Sequence, residues 1–270
     1  MSVDNRQSKL EALIVGFDTK LSGDFSQSQI AIRTTAHADT ASVAFAGIPY
    51  IKRVALGLDA NVQADLAKKI YTLKSTKLSL NKLELAASGS VASSGQRLAL
   101  DLAFKSPATD FRDILSLVPA IYAHDFDKLK TTGSFSIDGR VKGDYGQGAF
   151  PSFAINTKVN DATFQYVDLP LPARSIFVDL SLSNPGGSAD STVVKLDRFH
   201  VLLGDNPIDA HMLLRTPISD PDVDVRVAGK VDLADLRHTV KLEGIDQLSG
   251  TIATDATVRT RLSSVRRKQY

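Results

Sequence analysis

The sequence predicts an all-β protein, and three observations carry this prediction. Apolar residues recur at every second position in short segments such as 153–159 and 176–182, which is typical of strands with one apolar and one polar face. Aromatic residues make up only 7% of the chain and Trp is absent, while Thr, Ser, Val and Leu recur in short runs, a composition that favours many modest strands. Clear helical periodicity is confined to one short segment.

That helix is predicted near residues 109–118, between a capping candidate (Thr109 or Asp110) and Pro119. Its apolar residues follow the i, i+3, i+4, i+7 spacing of an amphipathic helix: Phe111, Ile114, Leu115 and Val118. Residues 64–70 are ambiguous between a helical turn and a strand, and the alternation that follows them favours mostly strand. A short helical turn is predicted after Asp232. Two strands are predicted near the start, at residues 13–21 and 28–35.

The composition is that of a folded protein, because 43% of the 270 residues are hydrophobic and 23% are charged. This length allows one large or two ordinary domains. The 32 basic and 30 acidic residues are interleaved and leave a net charge of +2, so nucleic acid is a poor partner.

The absence of cysteine excludes disulfides and thiolate metal sites. The first apolar cluster, residues 10–17, is interrupted by Glu11 and too short to span a membrane.

An internal repeat of about 115 to 120 residues is indicated by short matches along the chain. Residues 80–85 align with 196–201 at an offset of 116, Gly133 aligns with Gly250 at 117, and Pro49 with Pro170 at 121. In both 80–85 and 196–201 the alternation slips by one position, which predicts a β-bulge at equivalent places. We therefore divide the chain into leading strands of a preceding unit (1–45), a first repeat unit (46–150) and a second, truncated unit (151–270).

A hairpin centred on Asp205 and Asn206 is predicted in the second unit. This register would place Leu203 opposite Ile208, Val201 opposite Ala210, and Phe199 opposite Met212, and it would also bring His200 opposite His211. Two imidazoles without a third ligand are more often surface neighbours than a metal site.

The sequence contains no recognisable catalytic motif, so we predict that the protein is not an enzyme and uses no cofactor or metal. Asp220, Asp222 and Asp224 resemble the opening of a calcium loop, but Val225 stands where that loop needs Gly, so a turn leading into a strand is favoured. The basic residues near the C-terminus alternate with apolar ones and are interpreted as the polar side of a strand. They are Arg259, Arg261, Arg266, Arg267 and Lys268.

About fifteen amphipathic strands with little to cover them must either bury their apolar faces on each other or leave them lining a groove. Composition and spacing do not choose between a closed sandwich or barrel and an open groove.

The turn and strand signatures of the chain resemble those of the AsmA family of bacterial envelope proteins, over nearly its whole length. The segments that carry the resemblance are 129–145, 150–153, 169–172, 184–187, 204–207, 217–221 and 229–233. The resemblance implies a bridge-like lipid-transfer protein: a long, curled, mostly antiparallel sheet whose apolar groove carries phospholipid acyl chains across the periplasm and supports outer-membrane biogenesis. The inner-membrane anchoring helix of the family is absent from this chain, which ends at residues 266–270 in what resembles the middle of a unit. We therefore expect a fragment of a periplasmic, inner-membrane-anchored protein.

With phospholipid as the expected partner, the alternation assigns the residues that would line the groove: Val54, Leu56, Leu58, Leu98, Leu100, Leu102, Phe135, Ile137, Phe153, Ile155, Ile176, Val178, Leu180, Phe199, Val201, Ala210, Met212, Val223 and Val225. The alternative from another class is a structural or interaction β-sandwich of the cell envelope that binds no lipid.

Overall fold

The computed structural model describes residues 2–5, 10–45, 48–106, 109–115, 129–166, 171–233, 235 and 249–266. In these ranges 77% of the residues lie in strands. The strands are β1 (Ser2–Asn5), β2 (Leu10–Ser22), β3 (Gln29–Phe45), β4 (Ile48–Asp65), β5 (Ile70–Leu80), β6 (Leu83–Ser94), β7 (Arg97–Lys105), β8 (Thr109–Asp110), β9 (Leu129–Tyr145), β10 (Ser152–Tyr166), β11 (Ala173–Asn184), β12 (Val193–Leu203), β13 (Asn206–Arg215), β14 (Asp222–Asp232) and β15 (Thr251–Arg261). The helices are α1 (Phe111–Leu115), α2 (Leu262–Arg266) and a 3₁₀ turn (Ala189–Ser191).

Fourteen strands form one antiparallel sheet in chain order, and the two-residue β8 pairs beside them with β9. The sheet is not closed, and the α-helices with described bounds are both short. The predicted class, all-β with a long antiparallel sheet, is therefore confirmed. No helix within the described ranges has both the length and the hydropathy needed to cross a bilayer.

The chain divides into two compact units. The first contains residues 1–126 and 140–147, and the second contains residues 127–139 and 148–270, so β9 contributes to both. The repeat limits that we predicted from the sequence, at 45/46 and 150/151, remain predictions.

The slip in alternation between Leu80 and Leu83 is a hairpin turn, so our prediction of a bulge there is wrong. Leu80 pairs directly with Leu83, and Asn81 and Lys82 form a two-residue turn between β5 and β6. Asn81 has a φ of 52°, in the left-handed region that Asn tolerates better than most residues. A two-residue turn reverses the chain while keeping both leucines on one face.

The slip between Leu196 and Phe199 is a bulge in β12, as predicted. Its counterpart in the first unit lies in β5, between Leu73 and Thr76. Both residues of each pair that flanks the bulge match at the same offset of 123. Leu73 pairs with Gly89 in the first unit, as Leu196 pairs with Met212 in the second. Thr76 pairs with Ala87, as Phe199 pairs with Ala210. The sequence alignment of residues 80–85 with 196–201, at an offset of 116, therefore differs by seven positions from the offset of 123 between the two bulges.

The pairing of β3 with β4 is repeated in the pairing of β10 with β11. Register shifts fall between Ala38 and Ala41 in β3 and between Val159 and Ala162 in β10, at an offset of 121. The offset of 121 seen for Pro49 and Pro170 agrees with this spacing. The repeat is thus present in the strand pairing, with a spacing of 121 to 123 residues.

The β12–β13 hairpin turns at Gly204 and Asp205, one position earlier than predicted. Leu203 pairs with Asn206, Val201 with Ile208, Phe199 with Ala210 and Leu196 with Met212. The predicted partners were therefore shifted by two residues. A shift of two keeps the same side chains on the same face, whereas a shift of one would have exchanged the faces.

The predicted helix is present as α1, shorter than its pattern suggested. The Arg112 N–H donates to Asp110 Oδ1 at 2.9 Å, so Asp110 satisfies a backbone donor at the helix start. Val118 and Pro119 lie outside the described residues, as does Leu236 of the predicted helical turn, although Leu233 and Asp235 are helical. Residues 66–69 form a turn between β4 and β5, which corrects our prediction of mostly strand.

We expect Asn81→Ala to lower the free energy of unfolding by about 1–2 kcal/mol, because it strains the left-handed turn and removes a side-chain hydrogen bond. In the structure the Ala55 N–H donates to Asn81 Oδ1 at 2.9 Å, and the Asn81 N–H donates to the Ala55 carbonyl at 2.8 Å. Asn81→Gly should lose less, since Gly tolerates this φ, and Lys82→Ala is the control. Urea unfolding of the three variants measures the order, and equal losses for Ala and Gly would contradict the role of the φ angle.

Candidate functional site

One face of the second unit carries rows of apolar side chains that run from strand to strand. Residues paired directly across antiparallel strands point to the same side, so the register identifies each row. From β10 to β15, three rows cross six strands each: Ile155, Leu182, Val194, Leu214, Val223, Thr260; Thr157, Leu180, Leu196, Met212, Val225, Val258; and Val159, Val178, Phe199, Ala210, Val227, Ala256. None of these rows contains a charged residue.

The first unit has an apolar face of the same kind. Two rows run from β2 to β6: Phe17, Ala38, Leu56, Leu80, Leu83; and Thr19, Ala36, Leu58, Leu78, Leu85. Two more run from β3 to β7: Ile32, Val62, Leu73, Gly89, Leu102; and Ile30, Ala64, Tyr71, Val91, Leu100. The Asn81–Lys82 turn is what brings the leucines of β5 and β6 into the same rows.

Most of the residues that we assigned to a groove lie in these rows. The others on these strands lie two positions from a row residue, and so on the same face by alternation. Within the first unit the assigned residues are Val54, Leu56, Leu58, Leu98, Leu100 and Leu102, and within the second Phe153, Ile155, Ile176, Val178, Leu180, Phe199, Val201, Ala210, Met212, Val223 and Val225. Phe135 and Ile137 share one side of β9 by alternation. Our assignment omitted leucines that the register places in the same rows, namely Leu78, Leu80, Leu83, Leu85, Leu182, Leu196 and Leu214, although their alternation was visible in the sequence.

Most of these apolar side chains are half-buried rather than buried. Val54, Phe135, Ile176 and Val201 are buried, Leu98 is 38% exposed, and the other assigned residues have intermediate exposure. Val54 is the only large side chain in the described ranges with less than 2% of its surface exposed. A sheet covered by a second layer buries its facing side chains almost completely. The described residues therefore leave part of the apolar face accessible.

The opposite face carries charged residues that pair across strands. The pairs include Lys158 with Asp179 at 3.5 Å, Arg259 with Asp224 at 3.0 Å, Arg226 with Asp255 at 3.3 Å, and, in the first unit, Arg140 and Lys142 with Asp101 at 3.4 and 3.3 Å. The Arg198 guanidinium lies 4.1 Å from the centre of the Phe177 ring. Each such exposed pair contributes only about 0.2–1 kcal/mol, but together they assign one face of each strand to water.

His200 pairs with Asp209, so the prediction that it lies opposite His211 is wrong. His200 Nδ1 lies 2.8 Å from Asp209 Oδ1, and His211 pairs in register with Arg226. The two-residue shift of the β12–β13 hairpin causes this change. No group of three or more potential metal ligands occurs among the described residues.

The three aspartates after Pro217 have separate structural roles. Asp220 accepts hydrogen bonds from the N–H and the hydroxyl of Ser263, both at 2.8 Å, and so attaches the turn before β14 to α2. Asp224 pairs with Arg259, and Asp222 lies 3.9 Å from Arg261. The two arginines are thus on the polar side of β15, as the alternation predicted, whereas Arg266 belongs to α2.

The Asp190 carboxylate connects the 3₁₀ turn between β11 and β12 to the loop between β13 and β14. Hydrogen bonds from the Ser219 hydroxyl, the Ser219 N–H and the Ile218 N–H lower the pKa of Asp190 below its ordinary value of 3.8. The stabilisation from a carboxyl with a lowered pKa is present above the unfolded pKa and is lost as the pH falls through the folded value. This contact is therefore fully formed at neutral pH.

The fold and the site together define the protein as an all-β protein with an open antiparallel sheet, apolar on one face and ion-paired on the other within each unit. Comparison with protein-family models, with curated proteins and with solved structures finds no match.

The partial exposure of the apolar face can be tested with a matched pair of phenylalanines. Phe135 is 3% exposed and Phe199 is half-buried. We expect Phe135→Ala to lower the free energy of unfolding by about 3–5 kcal/mol, as for a core residue, and Phe199→Ala by about half as much. Urea unfolding measures both. Equal losses would mean that Phe199 is covered as completely as Phe135.

Proposed function

We propose that the chain is a segment of a periplasmic bridge-like lipid-transfer protein. In this proposal the apolar rows bind phospholipid acyl chains between the inner and outer membranes and so support outer-membrane biogenesis. The observation that carries it is the set of uncharged rows, each crossing five or six strands, in which most of the large side chains are half-buried. Soluble proteins rarely leave a contiguous apolar surface of this kind without a ligand or partner.

The rows are suited to an extended hydrocarbon chain. Neighbouring strands lie about 4.8 Å apart, so an acyl chain lying along one row would meet an apolar side chain at each strand. Each buried methylene contributes about 0.8 kcal/mol. Similar side chains recur along a row. An acyl chain that moves along the row by one strand therefore exchanges one set of contacts for an equivalent set, which permits the lipid to slide.

The polar headgroup would stay at the rim of the apolar face. Burying a charged phosphate without a partner is costly, and the rows contain no charged side chain that could pair with it. The ion-paired face keeps the other side of the sheet in water. We assign no catalytic residue, cofactor or metal to this function. The AsmA resemblance extends the proposal to an inner-membrane anchor outside this chain.

The second candidate is a closed β-sandwich of the cell envelope, with a structural or interaction role. It requires the apolar faces to be fully covered. The half-buried state of Leu180, Met212 and Phe199 favours the lipid-binding proposal over this one.

The experiment introduces an aspartate at one of two neighbouring positions of β11, one on the apolar face and one on the polar face, and compares the two variants. Leu180 lies in an apolar row, and Ser181, the next residue, lies between Asn156 and Lys195 on the polar face. We expect purified wild-type protein and Ser181→Asp to carry phospholipid, detected by mass spectrometry of the extracted protein. Leu180→Asp should remain folded with a lowered melting temperature and should carry several-fold less lipid, because the new charge must stay hydrated.

Two results would contradict the proposal. One is wild-type protein that carries no lipid and takes up none from phospholipid vesicles. The other is Leu180→Asp with unchanged lipid content. If wild type carries no lipid and Leu180→Asp also unfolds, the closed sandwich is supported instead.

A further inference from the structure

A row of small side chains lies between two rows of larger ones on the apolar face of the first unit. We call it the threonine row, and the register from β2 to β7 assigns to it Leu21, Thr34, Ala60, Thr76, Ala87 and Phe104. The rows on its two sides contain Leu58 and Leu78, and Leu73. These leucines are half-buried, whereas Ala60 is 2% and Thr76 is 8% exposed. The small side chains between Leu21 and Phe104 therefore form the floor of a trench that crosses the strands.

Larger side chains fill the same positions in the second unit. The offset of 123 between the two bulges aligns Thr76 with Phe199. Across the neighbouring strand, Ala60 stands opposite Thr76 and Val178 stands opposite Phe199. The first unit thus has a methyl group where the second has a valine, and a hydroxyl where the second has an aromatic ring. The trench is a feature of the first unit.

The bulge in β5 is what places Thr76 on the apolar face. Thr72, four residues earlier, pairs with Gln63 and Ser90 on the polar face. Strict alternation would put Thr76 on the same side as Thr72. The extra residue between Leu73 and Thr76 reverses this, as bulges do when they redirect a side chain.

The hydroxyl of Thr76 lacks a hydrogen-bond partner. Among the residues that the structure describes, its Oγ1 is the only buried side-chain oxygen or nitrogen in this condition. A buried polar group without a partner destabilises the folded protein, and native structures contain few of them. Rotation about χ1 between staggered positions can turn the hydroxyl toward an occupant of the trench. The floor of the trench therefore offers one hydrogen-bond donor within an apolar surface.

An acyl ester has the chemistry that matches this floor. Its hydrocarbon chain suits the flanking leucines, and its carbonyl oxygen accepts a hydrogen bond from a hydroxyl. A free fatty acid would bring a charged carboxylate, and neither the threonine row nor the two rows beside it contains a cation to pair with it. An ester carbonyl is a neutral acceptor and needs only one donor.

We propose that the trench binds the ester end of a lipid acyl chain, with the Thr76 hydroxyl donating a hydrogen bond to the ester carbonyl oxygen. This inference rests on the proposed function and adds the chemical class of the ligand, an acyl ester rather than a bare hydrocarbon or an ether-linked chain. The acyl chain lies along the threonine row. Thr76 is four residues, about 13 Å, from Leu80 at the end of β5, and the glycerol and phosphate extend toward that rim.

The test measures how the full chain selects between ester-linked and ether-linked lipid. Each protein is incubated with vesicles of equal parts diester and diether phosphatidylglycerol of the same chain length, and mass spectrometry gives the ratio of the two lipids bound. Wild type should favour the diester about two- to tenfold, since an ether has no carbonyl to accept the hydrogen bond. Thr76→Val keeps the shape and removes the hydroxyl, so its ratio should be near one at similar total lipid. Thr76→Ser, which keeps the hydroxyl, should retain the preference.

Thr72→Val is the matched control, because it makes the same change on the polar face of the same strand and should leave the ratio as in wild type. Without lipid, Thr76→Val should melt at the same temperature as wild type or higher, since it removes an unpaired buried hydroxyl. A lower melting temperature would show that the hydroxyl has a partner within the protein and would overturn the inference. So would equal binding of both lipids by wild type, or a preference that survives in Thr76→Val, and both results leave the proposed function standing. Uptake of neither lipid would overturn the inference and the proposed function together.

Discussion

Register between neighbouring strands is the constraint on which the rest of this structure depends. Apart from the two-residue β8, the strands of the described sheet pair with their neighbours in the sequence, so that β1 and β15 at its ends have one partner strand each and the others have two. Side chains alternate between faces with a period of two, so an unmatched slip of one residue would exchange the apolar and charged faces of a strand. The apolar rows exist because the bulges in β5 and β12 fall where the alternation in the sequence changes phase.

Much of the fold could be predicted from local patterns. Alternation identifies the strands around Phe153, Ile176 and Val223, and it assigns Val178 and Leu180 to one side with Asp179 on the other, as the register places them. The helix near Phe111 is also visible in its spacing. These inferences succeed because a strand paired only with its sequence neighbours needs no information from distant parts of the chain.

The errors arise where two local structures give the same pattern. A change of phase over two residues is compatible with a bulge inside one strand and with a two-residue turn between two strands. Leu80 to Leu83 is a turn and Leu196 to Phe199 is a bulge. The Asn at position 81 was the available signal, since Asn tolerates the left-handed conformation of a turn. The hairpin at Gly204 was displaced for a related reason, because Gly204-Asp205 and Asp205-Asn206 are both acceptable turn pairs.

The order of strands in the sheet has a further consequence, for how the protein folds and how such proteins grow. Contacts between consecutive strands are close in sequence, and chains dominated by local contacts pay little loop-closure entropy before each contact forms. Hairpins can therefore form one after another as the polypeptide leaves the ribosome, without waiting for its far end. For the same reason, duplication of a stretch of about 120 residues adds strands without rearranging those already present, and the matched bulges at an offset of 123 are what such a duplication leaves behind.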